Sequence, residues 1–208
     1  MLARKLTAAS ARAVAPWWRA GGAPEPVAVY QPIGAASLAN SYVNLVNPGT
    51  FDAAPGVAPT FDAATGWQGD GATNFLTTGV VVGSGGTVVI RLSGISVLFP
   101  NRYFSSFVGG EFGMQAVTTS AIFLNGGSVS VAGTYSANVF AIAGNAGYVD
   151  GVNVATIPAG AAPTGTIELF RRPDNTRYTN GIIAAIAIYS STLDASQVAA
   201  VSAAMAAL

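Results

Sequence analysis

From Ile182 to Tyr189 the chain reads Ile-Ile-Ala-Ala-Ile-Ala-Ile-Tyr, so both alternation sets of an extended segment are apolar. A strand of this kind has no face to give to water and requires cover on both sides. Cover for one side is written directly after it. Asp194 with Gln197 three residues on makes a capping box, Leu193 with Val198 makes the matching hydrophobic staple, and Val198, Val201, Met205 and Leu208 form one apolar stripe. The expected arrangement is a deep strand over 182–189, entered by a tight turn at Asn180-Gly181, and closed by a helix over 194–208 laid on its sheet.

Upstream the pattern is one of short strands. Val27–Tyr30 and Thr87–Leu92 are β-branched or aromatic runs, and candidate strands follow at 103–108, 112–117, 121–124, 128–131, 138–143, 147–149, 152–156 and 166–170, with Gly, Asn and Pro between them. The stretch 38–46 reads equally as strand or as one or two helical turns. Thr50-Phe-Asp-Ala-Ala54 recurs as Thr60-Phe-Asp-Ala-Ala64, a pair of similar turns. Tyr148-Val149-Asp150-Gly151-Val152 is a hairpin, because Asp-Gly supplies the two positive-φ positions of a type I′ turn. Gly66-Trp67-Gln68-Gly69-Asp70-Gly71 followed by Phe75-Leu76 predicts a strand, a turn and a returning strand with Phe75 pointing inward. Many short strands with few helical patterns predict an all-β fold of two antiparallel sheets.

Three of these stretches resemble laminin-G-like domains of the concanavalin-A-like lectin/glucanase superfamily: Gly181, Ile183, Ile188, Tyr189, Leu193, Asp194, Gln197 and Val198 at the close; Trp67, Gly71, Phe75 and Leu76; and the Tyr148 to Val154 hairpin. The resemblance implies a jelly-roll sandwich over 25–208, preceded by an N-terminal arm and linker over 1–24. It also implies glycan binding as one function. Lectin sites pair an aromatic platform with amides and carboxylates on loops, and Trp67, Asn74, Tyr103 and Tyr178 are the loop-proximal candidates.

The chemistry open to the chain is narrow. It contains no cysteine and no histidine, which removes Ser-His-Asp and Cys-His catalysis and the usual zinc ligands. The superfamily's glucanases carry a Glu-x-Asp-x-x-Glu strand, and no such run occurs; Glu111, Asp150 and Glu168 stand apart, Glu168 reading as a solvent-facing strand residue. The chain is therefore expected to be non-enzymatic. Calcium is the cofactor that the resemblance brings in. Asp52, Asp62 and Asp70 lie in neighbouring loops, but each is expected to cap its own turn, and no metal site is assigned. Arg171 to Arg177 is the one charged run in the body and reads as a solvated hairpin loop. With zero formal net charge no attraction to nucleic acid is expected, and no membrane partner either.

Charged residues are only 9% of the chain, against roughly a quarter in ordinary domains. Partner coverage of the surface is the expectation that follows. Residues 1–22 hold Arg4, Lys5, Arg12 and Arg19 and no acid, with Trp17-Trp18 before a Gly-Gly-Ala-Pro linker. Ala13-Val14-Ala15 has the form of a cleavage site, but Arg12 interrupts any apolar core, so a cleaved leader is not expected. Adjacent indoles in so short a segment are either anchors into a partner or a cap on the sandwich. The segments 30–39 and 47–60 resemble proteins encoded in tailed-phage structural regions. On that resemblance the chain is expected to be a virion protein, homo-oligomeric, held to other virion proteins through Arg4, Lys5, Arg12, Trp17 and Trp18. The alternative is a carbohydrate-binding module at a cell surface or outside the cell.

Overall fold

A computed structural model describes residues 15–97 and 100–208. In chain order its strands are β1 (Ala28–Tyr30), β2 (Ala54–Val57), β3 (Thr60–Asp62), β4 (Gly66–Gln68), β5 (Phe75–Val81), β6 (Thr87–Gly94), β7 (Phe104–Val108) and β8 (Gly110–Val117). They continue with β9 (Ser120–Asn125), β10 (Gly127–Ala132), β11 (Val139–Ala143), β12 (Ala146–Val149), β13 (Val152–Thr156), β14 (Thr166–Leu169) and β15 (Ile182–Tyr189). A single helical turn, α1 (Leu38–Ser41), follows β1, and α2 (Ala195–Ala206) follows β15.

The strands form two antiparallel sheets. One runs β13-β12-β11-β6-β15-β4-β3, with β1 also paired to β15; the other runs β10-β9-β8-β7-β14-β5-β2. Their facing sides enclose a cluster that includes Trp67, Leu76, Ile90, Phe104, Phe112, Phe123, Phe140 and Ile186. This is the jelly-roll sandwich of two layers around one core.

β15 has the two-sided burial that its composition requires. Ile183, Ile186 and Ile188 enter the core between the sheets, while Ala185, Ala187 and Tyr189 enter a second cluster with Val198, Val201 and Met205 of α2. Strict alternation would put Ile183 on the α2 side. A register irregularity between Ile183 and Ala185 moves it to the inter-sheet side. The start of α2 is held as the sequence predicts: the Gln197 backbone N–H donates to Asp194, and the Asp194 N–H donates to the Gln197 side chain. Asp150 and Gly151, at φ 49° and 80°, make the β12–β13 turn with both central residues left-handed.

Four local expectations are corrected. Asn180-Gly181 is not a positive-φ turn; it leads directly into β15, and Gly181 is required because a Cβ there would lie 2.2 Å from the Tyr103 hydroxyl. β4 and β5 are not a hairpin but belong to different sheets, so the Gly69–Asn74 segment carries the chain across the sandwich. Phe75 consequently faces out, and Leu76 occupies the core. The segments Thr50–Ala54 and Thr60–Ala64 are not similar turns either: the first leads into β2 of one sheet and the second contains β3 of the other.

Gly181→Ala is expected to lower stability by about 1–3 kcal/mol through overpacking against Tyr103. A thermal melt of the variant checks it, and an unchanged midpoint would mean that the ring has room to withdraw.

Candidate functional site

The outer side of the seven-stranded sheet carries an unusual concentration of charge for so uncharged a chain. Alternation along β8 sends Phe112, Met114 and Ala116 into the core, leaving Glu111, Gly113 and Gln115 outward; β7 likewise presents Ser105 and Phe107, β14 presents Glu168, and β5 presents Phe75 and Thr77. Glu168 lies opposite Ser105 on one side and Thr77 on the other.

What covers this face is the loop after β14. Phe170 is buried in the core yet sits at φ 70°, a costly conformation for an aromatic residue, and its N–H donates to Tyr103 O. The bend turns the next two residues back over the sheet. Arg171 lays its guanidinium on the Phe75 ring, 3.2 Å from the centroid, and Arg172 lays its own on Phe107 at 3.4 Å. Two neighbouring arginines thus reach to opposite sides of β14. Asn175 and Arg177 are also left-handed, at φ 61° and 57°, and the Arg172 N–H closes a tight turn on Thr176 O.

The carboxylates are held by these cations. Arg171 donates from Nε and Nη2 to the two oxygens of Glu168, at 2.6 and 3.3 Å, and from Nη1 to Asn175 Oδ1. Burial opposes the charge of Arg171, but Glu168 and the Tyr178 hydroxyl outweigh it and raise the pKa further. Arg102, whose side chain is 4% exposed, reaches Glu111 through Nε and Nη2 and Gln115 Oε1 through Nη1. Ser105 Oγ donates to Glu111 at 2.9 Å. The result is a layer of planar polar groups fixed by one another, bordered by the 39% exposed ring of Phe107.

Most residues that the sequence nominated lie elsewhere. Trp67 and Tyr103 are fully buried, so neither offers a ring face to a ligand. Both side chains enter the cluster between the sheets, Trp67 from β4 and Tyr103 from the residue before β7. Asn74 is 9% exposed, its amide donating to Ala58 O in a structural loop contact. Tyr178 alone of the four joins the outer face, through Arg171. Glu168 is not solvent-facing but buried beneath Arg171. The Arg171–Arg177 run is a tight loop as expected, but Arg171 and Arg172 are packed against rings. Sequence reading set Glu111 aside as an isolated carboxylate and passed over Arg102, Phe107 and Gln115 entirely; their proximity is a product of strand order, and only the doubled arginine was a local signal.

Asp52, Asp62 and Asp70 each accept from backbone N–H groups in their own turns: Asn44 and Gly49, Ala64, and Ala72, Thr73 and Asn74 respectively. Among the described residues no group of acidic side chains is arranged to hold a metal, and no helix is long and apolar enough to cross a membrane.

Trp17 and Trp18 belong to a 3₁₀ segment, Trp17–Gly22, that packs on α2 beside the second cluster. Trp17 Nε1 donates to Gln31 Oε1, and the Tyr189 hydroxyl donates to Trp18 O. Residues 17–24 are therefore joined to the sandwich instead of standing apart as an arm. Arg4, Lys5 and Arg12 lie outside the described residues. A separate cavity of about 320 Å³ opens at the end of β1, between Gln31, Ile33, Asn40, Val43 and Leu45. It has neither an aromatic nor a charged wall, and Gln31 is already committed to Trp17, so the outer sheet face is the stronger site.

The titration behaviour follows from the same contacts. Burial disfavours the Asp70 charge, but N–H groups of Asn74, Thr73 and Ala72 and the Thr73 hydroxyl hold its carboxyl well below the usual range. Burial pushes Tyr103 up to about 12 against an opposing Ser96 N–H, and raises Tyr30 and Tyr189 as well. A depressed carboxyl stabilises above its unfolded pKa near 4 and loses that contribution as pH falls; a raised phenol stabilises below its unfolded pKa near 10 and loses it as pH rises. With no histidine or cysteine side chain to titrate between them, urea midpoints are expected to stay level from about pH 5 to 9 and to fall on both sides. A slope near pH 6.5 would contradict this.

Comparison with known proteins places the sandwich. A family model of the concanavalin A-like lectin/glucanases superfamily, Laminin_G_3, matches residues 65–199. No curated protein sequence matches. Among solved structures, domain 4 of AbnA, an extracellular GH43 arabinanase of Geobacillus stearothermophilus in complex with arabinotriose, is 13% identical and superposes with a TM-score of 0.59 over 86% of this chain and 98% of that one. A Trypanosoma rangeli sialidase mutant displaying trans-sialidase activity is 12% identical, TM-score 0.61, over 86% of this chain and 33% of the other; this chain thus spans about a third of that sialidase. Botulinum neurotoxin type C, whose cell entry depends on interaction with two ganglioside molecules, is 11% identical, TM-score 0.56, over 86% of this chain and 51% of that chain. At these identities the likeness is one of fold.

Proposed function

The chain belongs to the concanavalin A-like lectin/glucanases superfamily, and from that premise we propose that it is a non-catalytic carbohydrate-binding sandwich that takes its saccharide on the outer face of the seven-stranded sheet. The observation that carries the reading is the combination there of an exposed aromatic ring, Phe107, with guanidinium and carboxylate groups already fixed in position. Sugars present apolar ring faces and dense hydroxyls, which such a surface can meet without reorganising. Binding without hydrolysis fits the commitment of Glu111 and Glu168 to arginine and serine donors. The neighbours that contain arabinotriose or depend on gangliosides make saccharide the ligand class to test first. Titration calorimetry against neutral and acidic oligosaccharides should show binding that Phe107→Ala weakens. No heat with any saccharide at millimolar concentration would end this reading.

A second reading has an observation of its own. Trp18 Nε1 is buried without a hydrogen-bond partner among the described residues, and the two half-buried indoles meet edge to face at the surface of α2. This favours a site where residues 1–14 or another subunit completes the contact, as in a structural protein of a phage particle anchored through Arg4, Lys5, Arg12, Trp17 and Trp18. Copurification with intact particles, lost on Trp18→Ala, would support it. Recovery of the protein only free in host cytosol would remove it.

A further inference from the structure

Within the charged layer one cation is left unsatisfied. Arg171 and Arg102 direct their donors into hydrogen bonds with Glu168, Asn175, Glu111, Gln115 and Asn101. Arg172 makes no side-chain hydrogen bond to any described residue. Its nearest carboxylate oxygens are Glu111 Oε2, 3.7 Å from Nε, and Asp174 Oδ2, 3.5 Å from Nη1, which are ion-pair separations beyond good hydrogen-bond geometry. Nε is buried without a partner, while the Nη groups are not enclosed in the same way. A guanidinium in this state has its plane fixed on Phe107 and its forked donors free for a planar acceptor.

The surroundings add to this. Three guanidinia, Arg102, Arg171 and Arg172, meet three carboxylates, Glu111, Glu168 and Asp174, and of the three cations Arg172 alone has only ion-pair contacts to them. Beside Arg172 lies the partly exposed Phe107 ring, an apolar surface of a kind that a sugar ring covers.

We infer that the saccharide is acidic, with its carboxylate received by the Arg172 guanidinium and its ring lying against Phe107. This rests on the carbohydrate-binding reading and names the ligand class for the same face. Glu111 and Asp174 keep the guanidinium in place; the ligand's carboxylate supplies the hydrogen bonds they do not make. Glu111 also sets a limit, because a second acid group placed towards Arg102 would meet its charge.

The test uses paired probes that differ only in the acid: trigalacturonate against its methyl ester, and sialyllactose against its methyl ester, each titrated into the full chain. At least one acidic probe is expected to bind about tenfold or more tightly than its neutral partner, with affinity falling as salt rises. Arg172→Gln should abolish that preference in a chain that still melts cooperatively; Arg172→Lys, which keeps charge but loses the fork, should restore only part of it. Equal binding of acidic and neutral partners, or a preference that survives Arg172→Gln, overturns this inference and leaves the carbohydrate reading standing. Silence from all four probes, extended across a neutral oligosaccharide panel, removes both.

Discussion

Trp67→Ala should cost about 3–5 kcal/mol, a large part of the roughly 5–15 kcal/mol that keeps a domain folded. The indole is fully buried between Tyr30 and Tyr42, with ring centroids 6.1 and 5.7 Å away, and its Nε1 donates to Ser41 Oγ at 2.7 Å. Trp67 also stands at a junction of the fold, paired with Phe61 on β3 and Ile183 on β15. Removal leaves a cavity that three strands cannot collapse into without losing register. Trp67→Phe should recover most of the loss, falling short by the vacated ring volume and the missing N–H. Urea unfolding of both variants measures it, and a cost below about 1 kcal/mol for the alanine would mean that this side chain is not in the core.

Arg102→Met is the second large effect. It leaves the Glu111 carboxylate, 11% exposed, with Ser105 and the distant Arg172 as its remaining partners, and breaking a buried pair from one side costs about 3–5 kcal/mol. Gln115, 2% exposed, loses the donor to its Oε1 while its Nε2 already has no partner. The double variant Arg102→Met, Glu111→Leu should be more stable than Arg102→Met alone, since no charge then remains buried without compensation. A double-mutant cycle from chemical denaturation reads the coupling. Simple additivity would place both side chains in solvent.

What the sequence disclosed and what it withheld divide along a physical line. Features set by neighbours in the chain were readable: the capping box at Asp194 and Gln197, the Asp150-Gly151 turn, and the two-sided burial of Ile182 to Tyr189. Features set by which strand lies beside which were not. Phe75 reads as an inward residue because an aromatic follows a turn, yet β5 enters the second sheet with Leu76 inward, and Phe75 becomes the base for an arginine from the far end of the chain. Glu168 alternates with apolar residues as a wet strand residue does, and only the bend at Phe170 returns Arg171 over it. Trp67 and Tyr103 look like ligand platforms because they stand near loops, yet both are buried, and Gly181, far away in the chain, leaves room for the Tyr103 ring. Aromatic residues next to flexible turns are thus poor markers of a lectin site in this fold.

The placement of β15 bears on how the protein is made. This strand contributes to both apolar clusters and pairs with β1, β4 and β6, whose residues precede it by roughly half the chain or more. During synthesis at about 5–20 residues per second, β4 and β6 emerge seconds before the strand between them exists. Until then Leu92, Val88 and Ile90 of β6 have no neighbour on that edge, and the face that α2 will cover is bare. Such long-range closure is slow, so the nascent chain passes through a period in which an unpaired, strongly apolar strand edge is open to other chains. Holding that edge apart until translation reaches Tyr189 is a task for chaperones, and the yield of native protein should respond to their supply.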